Sequence, residues 1–130
     1  FSVKLDTNGF FPDVLEKCLP YVDYVALDVK TSPAKYKQLG AKDTTALLRS
    51  IEILKACKVP YEFRTTMVPD LFLPEDVKVV GELVAGASTY ALQQFVPEDT
   101  LDKKYREVKP YSPETISEFA EALKKYVENV

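Results

Sequence analysis

The sequence has no histidine and only two cysteines among its 130 residues. Without histidine, Ser-His-Asp and Cys-His nucleophilic catalysis and every His-ligated zinc site are excluded. Cys18 and Cys57 are too far apart for a CxxC-type metal or redox motif. Each closes an apolar helical pattern and reads as a small buried hydrophobe. Their scarcity suits a reducing, cytoplasmic setting. No apolar run approaches the roughly 18 residues of a membrane helix, so no membrane partner is expected. A basic excess is missing too: 17 Lys and Arg stand against 20 Asp and Glu, a net charge of −3. That balance argues against a nucleic-acid partner.

What is present is core material. Hydrophobic residues make up 46% of the chain, enough for a single domain over residues 1–130. Val3 and Leu5 alternate with Lys4 and lead into Asp6, a short strand. A helix is predicted from Pro12 and Asp13, with Val14, Leu15 and Cys18 at helical spacing. "VDYVALDVK", residues 22–30, reads as a strand with apolar residues on both faces, the pattern of a strand covered on both sides. "TSPAKYKQLG" reads as a short helical turn, with Ser32 as N-cap and Gly40 as stop. The stripe Ala46, Leu47, Leu48, Ile51 and Leu54 marks the clearest helix, capped by Asp43 or Thr44. "VPYEFRTTMVP" is a third strand. A helix starts at Pro74-Glu75-Asp76 and stops at Gly86. "TYALQQFVP" is a fourth strand, and residues 98–109 read as a charged surface loop. The last helix is capped by Ser112, with Ile116, Phe119, Ala120, Leu123 and Val127 on its buried side. The order β-α-β-α-α-β-α-β-α predicts an α/β fold with mainly parallel strands joined by right-handed crossovers.

In parallel α/β folds ligands bind at the carboxyl ends of the strands. The first strand ends in Asp6-Thr7-Asn8 and the second in Asp28 and Lys30. The third carries Arg64, Thr65 and Thr66, and the fourth Gln93 and Gln94. Asp28 and Lys30 are two residues apart and project to one face, opposite Leu27 and Val29. Each feature also has a plain structural reading. Asn8-Gly9 favours a turn, Asp28 and Lys30 could form an internal ion pair, Arg64 could snorkel to an acid, and the glutamines could be ordinary surface amides. Their coincidence at one end of four strands is what a ligand rim needs: acids for hydroxyls or cations, Lys and Arg for carboxylate, amides for a planar base.

"LDTNGF", "YVDYVALDVK", "RTTMVP" and "YALQQF" together resemble the radical S-adenosylmethionine activating enzymes. The resemblance is to the anaerobic ribonucleoside-triphosphate reductase activating proteins and the pyruvate formate-lyase activating enzymes, and it covers nearly the whole chain. It implies a partial (β/α)6 barrel of which this chain holds the C-terminal half, beginning at the third strand. It implies S-adenosylmethionine and a 4Fe-4S cluster as cofactors of the intact protein. The CxxxCxxC cluster motif and the Gly-Gly-Glu stretch that holds the methionine amine lie outside this chain, so neither cofactor is expected in it alone. By residue, it places Asp6 and Thr7 near the cofactor carboxylate, in some members through a monovalent cation, and counts Asn8 with them among the cofactor-binding residues; Ala26 stands where some relatives have Met. It places Asp28 and Lys30 on the ribose and carboxylate, Arg64 beside the same ligand, and Gln94 near the adenine. The implied reaction makes a 5′-deoxyadenosyl radical that takes hydrogen from a glycine. The implied partners are a glycyl radical enzyme, of the anaerobic ribonucleotide reductase or pyruvate formate-lyase type, and a flavodoxin or ferredoxin. Truncation at the third strand would leave the first strand here as an open edge, so a homodimer through it is expected. Two other readings stay open: a non-catalytic α/β metabolite-binding domain, and an aldolase-type barrel fragment with a Schiff base on Lys30.

Overall fold

The structure, a computed structural model, describes residues 1–130, with Asp99 described by its backbone alone. Strands β1 (Lys4–Thr7), β2 (Tyr24–Asp28), β3 (Tyr61–Met67) and β4 (Tyr90–Gln94) form one sheet in the order β1-β2-β3-β4. Every pairing is parallel. Between and after the strands run helices α1 (Pro12–Cys18), α2 (Thr45–Ala56), α3 (Asp76–Val84) and α4 (Pro113–Leu123). Each crossover steps to the next strand on the same side. Right-handed steps taken always in one direction leave all the helices on one face of the sheet.

The core confirms that geometry. Leu15 of α1, Leu47, Ile51 and Leu54 of α2, Val80 and Val84 of α3, and Phe119 and Leu123 of α4 pack on Val25, Leu27, Phe63, Met67 and Tyr90. Covering of β2 on both faces, expected from its sequence, is therefore corrected. Val25 and Leu27 lie under helices, while Ala26 and Asp28 alternate with them onto a face that no helix covers. Ala26 is nevertheless completely buried, under neighbouring side chains.

Local chemistry explains the element ends. Pro12 opens α1, and Ser112 caps α4 by accepting the Thr115 N–H at 3.2 Å. At α2 it is Asp43 that accepts the Thr45 N–H, at 3.0 Å, while the Thr44 side chain makes no cap bond. Leu48 and Val14, expected in buried stripes, are exposed. Ser50 takes an inward place on α2 instead, donating to the Gly9 carbonyl at 2.6 Å. The turn after β2 is a 3-10 helix, Pro33–Leu39, stopped by Gly40 at φ 88°. The charged segment after β4 is not wholly a surface loop: it forms short 3-10 turns, Pro97–Asp99 and Lys103–Tyr105. Tyr105 and Val108 fold back onto Val68, Leu71 and Phe95.

The two sheet edges differ. The C-terminal residues return to β4, where Tyr90 N–H donates to the Asn129 carbonyl at 2.9 Å. Among the described residues nothing pairs with the outer side of β1.

Candidate functional site

Asp28 ends β2, and Arg64 stands level with it on β3. Arg64 Nε and Nη2 donate to Asp28 Oδ1 at 3.0 and 2.9 Å. Its Nη1 lies 3.6 Å from Oδ1 of Asp6 on β1. The guanidinium therefore reaches across β2, and the β2 residue level with Asp6 is Ala26. A methyl side chain there leaves room for the planar fork to lie over the strand. Lys4 continues the row, its Nζ 3.5 Å from Glu62 Oε1. Burial alone would lower the Arg64 pKa, but the bonds from Asp28 and the charges of Asp28, Asp6 and Glu62 raise it above its ordinary value.

Beyond this row, at the carboxyl ends of β2, β3 and β4, opens a cleft of about 730 Å³. Asp28, Lys30, Arg64, Thr66 and Gln94 line its polar side, and Leu39, Val68, Leu71, Phe95 and Tyr105 its apolar side. Both Arg64 bonds fall on Oδ1 of Asp28. Oδ2 has no hydrogen-bond partner among the described residues, so it is available to a ligand hydroxyl. Lys30 lies just past the end of β2, exposed, with its ammonium unpaired among the described residues. An aldolase lysine needs desolvation, which this position does not provide.

The other candidates from the sequence are placed as follows. Asp6 touches the site only through Arg64. Thr7 Oγ1 accepts the Gly9 N–H at 3.1 Å and Asn8 Oδ1 the Phe10 N–H at 3.0 Å, so both side chains close the turn after β1. Gly9 turns there at φ 81°, and a Cβ on it would sit 2.7 Å from Leu47 Cδ1 and 3.1 Å from Leu27 Cδ1. The glycine is thus required twice, for its dihedral and for the close approach. Gln94 Nε2 donates to the Tyr111 carbonyl at 3.1 Å, tying β4 to the segment before α4. Thr65 points away from the rim into the core, donating to the Val29 carbonyl and sharing a hydrogen bond with Tyr90.

Two supports of the site escape sequence reasoning. Tyr36, buried beneath the loop after β2, accepts the Lys30 N–H at 2.8 Å. Burial pushes its hydroxyl up to about 12, opposed by the Lys30 bond and reinforced by the Asp28 charge. Asp76, at the start of α3, accepts from Ser32 Oγ at 2.6 Å, Lys35 Nζ at 2.6 Å and Leu73 N–H at 2.8 Å. Thr31 Oγ1 donates to the Leu71 carbonyl beside it. These bonds lock the loop after β2 to the loop after β3. Ser32 stands at the N-cap of the 3-10 helix, as its sequence predicts, but its hydroxyl goes to Asp76 rather than to a helix N–H. An aromatic in a polar turn and an acid at a helix start are the only sequence signals either residue offers.

The donor set fits the polar parts of a nucleoside amino acid: one free carboxylate oxygen for hydroxyls, and the Lys30 ammonium for a carboxylate. It does not fit an iron–sulfur cluster. Cys18 and Cys57 lie at the carboxyl ends of α1 and α2. Helices in such crossovers run antiparallel to the strands, so both thiols sit at the end of the sheet away from the cleft. Among the described residues, no group of three or more His, Cys, Asp or Glu side chains is placed to hold a metal.

No family model matches the chain. Along its whole length it is 35% identical to a protein of Methanocaldococcus jannaschii named as a glycyl-radical enzyme activating enzyme, of which it spans 58%. Its fold is similar to the crystal structure of a domain of pyruvate-formate lyase-activating enzyme from Bacteroides vulgatus. The TM-score is 0.73 at 13% identity, over all of this chain and 81% of that one. The resemblance read from the sequence is thus accompanied by a similar sequence and a similar fold: over its whole length the chain is similar to part of a glycyl-radical enzyme activating enzyme, and its fold to a domain of a pyruvate-formate lyase-activating enzyme.

Proposed function

We propose that this chain is the cofactor-gripping C-terminal half of a radical S-adenosylmethionine activating enzyme. The observation that carries the proposal is the meeting of Asp28, Lys30 and Arg64 in one cleft at the strand ends, with Asp6 tied to them through Arg64. In this reading the free oxygen of Asp28 accepts the ribose hydroxyls. Lys30 meets the methionine carboxylate, with Asp6 and Thr7 nearby on the β1 side. Arg64 fixes the Asp28 carboxylate and adds positive charge to the cleft. Gln94 and the apolar wall of Leu39, Val68, Leu71 and Phe95 flank the base and keep water from it. When bound beside a reduced 4Fe-4S cluster, the cofactor supplies radical chemistry, the abstraction of hydrogen from a glycine of a partner enzyme. The protein's part is to position the cofactor.

The cluster's cysteines, in this reading, belong to polypeptide outside these 130 residues. The span of 58% of the M. jannaschii relative is consistent with that. The partners are a glycyl radical enzyme and a flavodoxin or ferredoxin, met in the cytoplasm. The chain by itself then binds S-adenosylmethionine weakly and does not cleave it. Titrating isotope-labelled chain with S-adenosylhomocysteine, followed by amide chemical shifts, tests the reading. Shifts are expected at Asp28, Lys30, Arg64 and Thr66. Shifts confined to other surfaces, or 5′-deoxyadenosine formed by the pure chain with a reductant, would overturn it.

A further inference from the structure

The chain leaves the sheet at the Val29–Lys30 peptide, between the Asp28 and Lys30 side chains that line the cleft. Val29 N–H still makes a sheet bond, to the Arg64 carbonyl at 2.8 Å. The next peptide group goes to side-chain hydroxyls. Its carbonyl, on Val29, accepts from Thr65 Oγ1, and its N–H, on Lys30, donates to Tyr36 Oη at 2.8 Å. A carbonyl only accepts, so the Thr65 proton is committed to Val29, and Tyr90 donates its own to Thr65. Tyr36 stands on the 3-10 helix, Thr65 on β3 and Tyr90 on β4, and all three are buried. A phenylalanine in place of either tyrosine would fill the same space without burying a hydroxyl. The hydroxyls therefore do more than fill the core.

On the reading of the cleft as a cofactor grip, we propose that Tyr36, Thr65 and Tyr90 are positioning residues. They clamp the Val29–Lys30 peptide from both sides, so that the Lys30 ammonium meets a ligand carboxylate while Asp28 meets the hydroxyls. Bonds to both ends of one peptide fix its rotation. That rotation sets the direction in which the Lys30 side chain leaves the backbone, one residue past the buried Val29. Lys30 itself is exposed, on a long stem with many rotamers. A fixed root reduces the conformational freedom that binding must remove. None of the three hydroxyls reaches the ligand, and each acts through the main chain. The clamp therefore matters for a ligand that carries a carboxylate and not for one that lacks it.

Tyr36→Phe removes one hydroxyl and keeps the ring beside Phe10, 5.8 Å between centroids. Thr65→Val removes the other bond with a side chain of the same shape, and Thr65→Ser restores a hydroxyl. Each isotope-labelled chain is titrated with S-adenosylhomocysteine and with 5′-methylthioadenosine, which has the nucleoside but no carboxylate. Tyr36→Phe and Thr65→Val should weaken binding of the first about threefold or more and leave the second unchanged. Thr65→Ser should keep the wild-type preference. Equal weakening of both ligands, or a wild-type preference that survives both substitutions, overturns the positioning role alone. Hydrogen exchange reads the clamp without a ligand. Relative to the Phe63 amide in β3, the Lys30 amide should exchange about tenfold faster in Tyr36→Phe than in wild type. An unchanged ratio overturns the clamp. A wild-type chain with no preference for the carboxylate-bearing ligand overturns the cofactor reading and the role toward it, while the exchange ratio still decides whether the peptide is held.

Discussion

One face of the sheet carries Val25, Leu27, Phe63 and Tyr90 under a layer of four helices; the other carries Lys4, Asp6, Asp28, Glu62 and Arg64 with no helix above them. The same strands build both, because side chains alternate. On the first face the stabilising term is removal of apolar area from water. On the second it is a chain of ion pairs in partial contact with solvent, worth much less per pair. Neighbouring residues on one strand can therefore have opposite jobs. Phe63 and Arg64 are adjacent in sequence; one holds the fold and the other organises the cleft.

The sharpest test of that division is Phe63→Ala. Phe63 is completely buried, and its truncation should cost about 3–5 kcal/mol of stability through the cavity it leaves. Urea denaturation measures this, and a loss under about 1 kcal/mol would mean that the helical layer does not seal the face.

A smaller effect is expected where the two loops are locked together. Asp76→Asn should cost about 2 kcal/mol at neutral pH, the size of hydrogen bonds to a charged group. Burial would raise the Asp76 pKa, but the bonds from Lys35, Ser32 and Leu73 overcome it and hold the carboxyl below its ordinary value. A depressed folded-state value means that the stabilisation is present above the ordinary carboxylate pKa, about 4, and is lost as the pH falls through the lower one. The gap between wild type and Asp76→Asn in thermal melts should therefore close on acidification below about pH 4. A gap that stays constant with pH would show that the carboxylate charge is not what holds the loops.

The smallest change in stability, and the largest in binding, belongs to Arg64→Met. Asp28 keeps 32% of its side chain exposed and can rehydrate, so unfolding should shift by no more than about 1 kcal/mol. Affinity for S-adenosylhomocysteine should fall about tenfold or more as the Asp28 carboxylate loses its anchor. Equal losses in both measurements would erase the distinction between the faces.

Much of the site was legible in the chain because strand ends are legible. Asp28 follows an apolar run, and Arg64 alternates with Tyr61, Phe63 and Thr65, so both could be put at the carboxyl end of the sheet. Lys30, two residues beyond Asp28, lines the same cleft. What could not be read was the reach of Arg64 over Ala26 to Asp6, because it joins three strands whose separation along the chain says nothing of their lateral order. Tyr36 and Asp76 were missed for a related reason: each works through a loop that comes near it only after the crossovers have folded. Leu48 was misplaced because the width of a buried stripe depends on what the helix packs against.

The sequence by itself determined the alternation of strands and helices, and hence the parallel sheet, since crossovers of this length have one handedness. It also determined which residue types stand at the strand ends, and the glycine that the turn after β1 demands. Only the tertiary structure decided that all helices gather on one face, that the opposite face is left to ion pairs, and which carboxylate Arg64 holds. Those outcomes depend on the lateral order of the strands and on distances between segments far apart in the chain. A linear pattern carries neither.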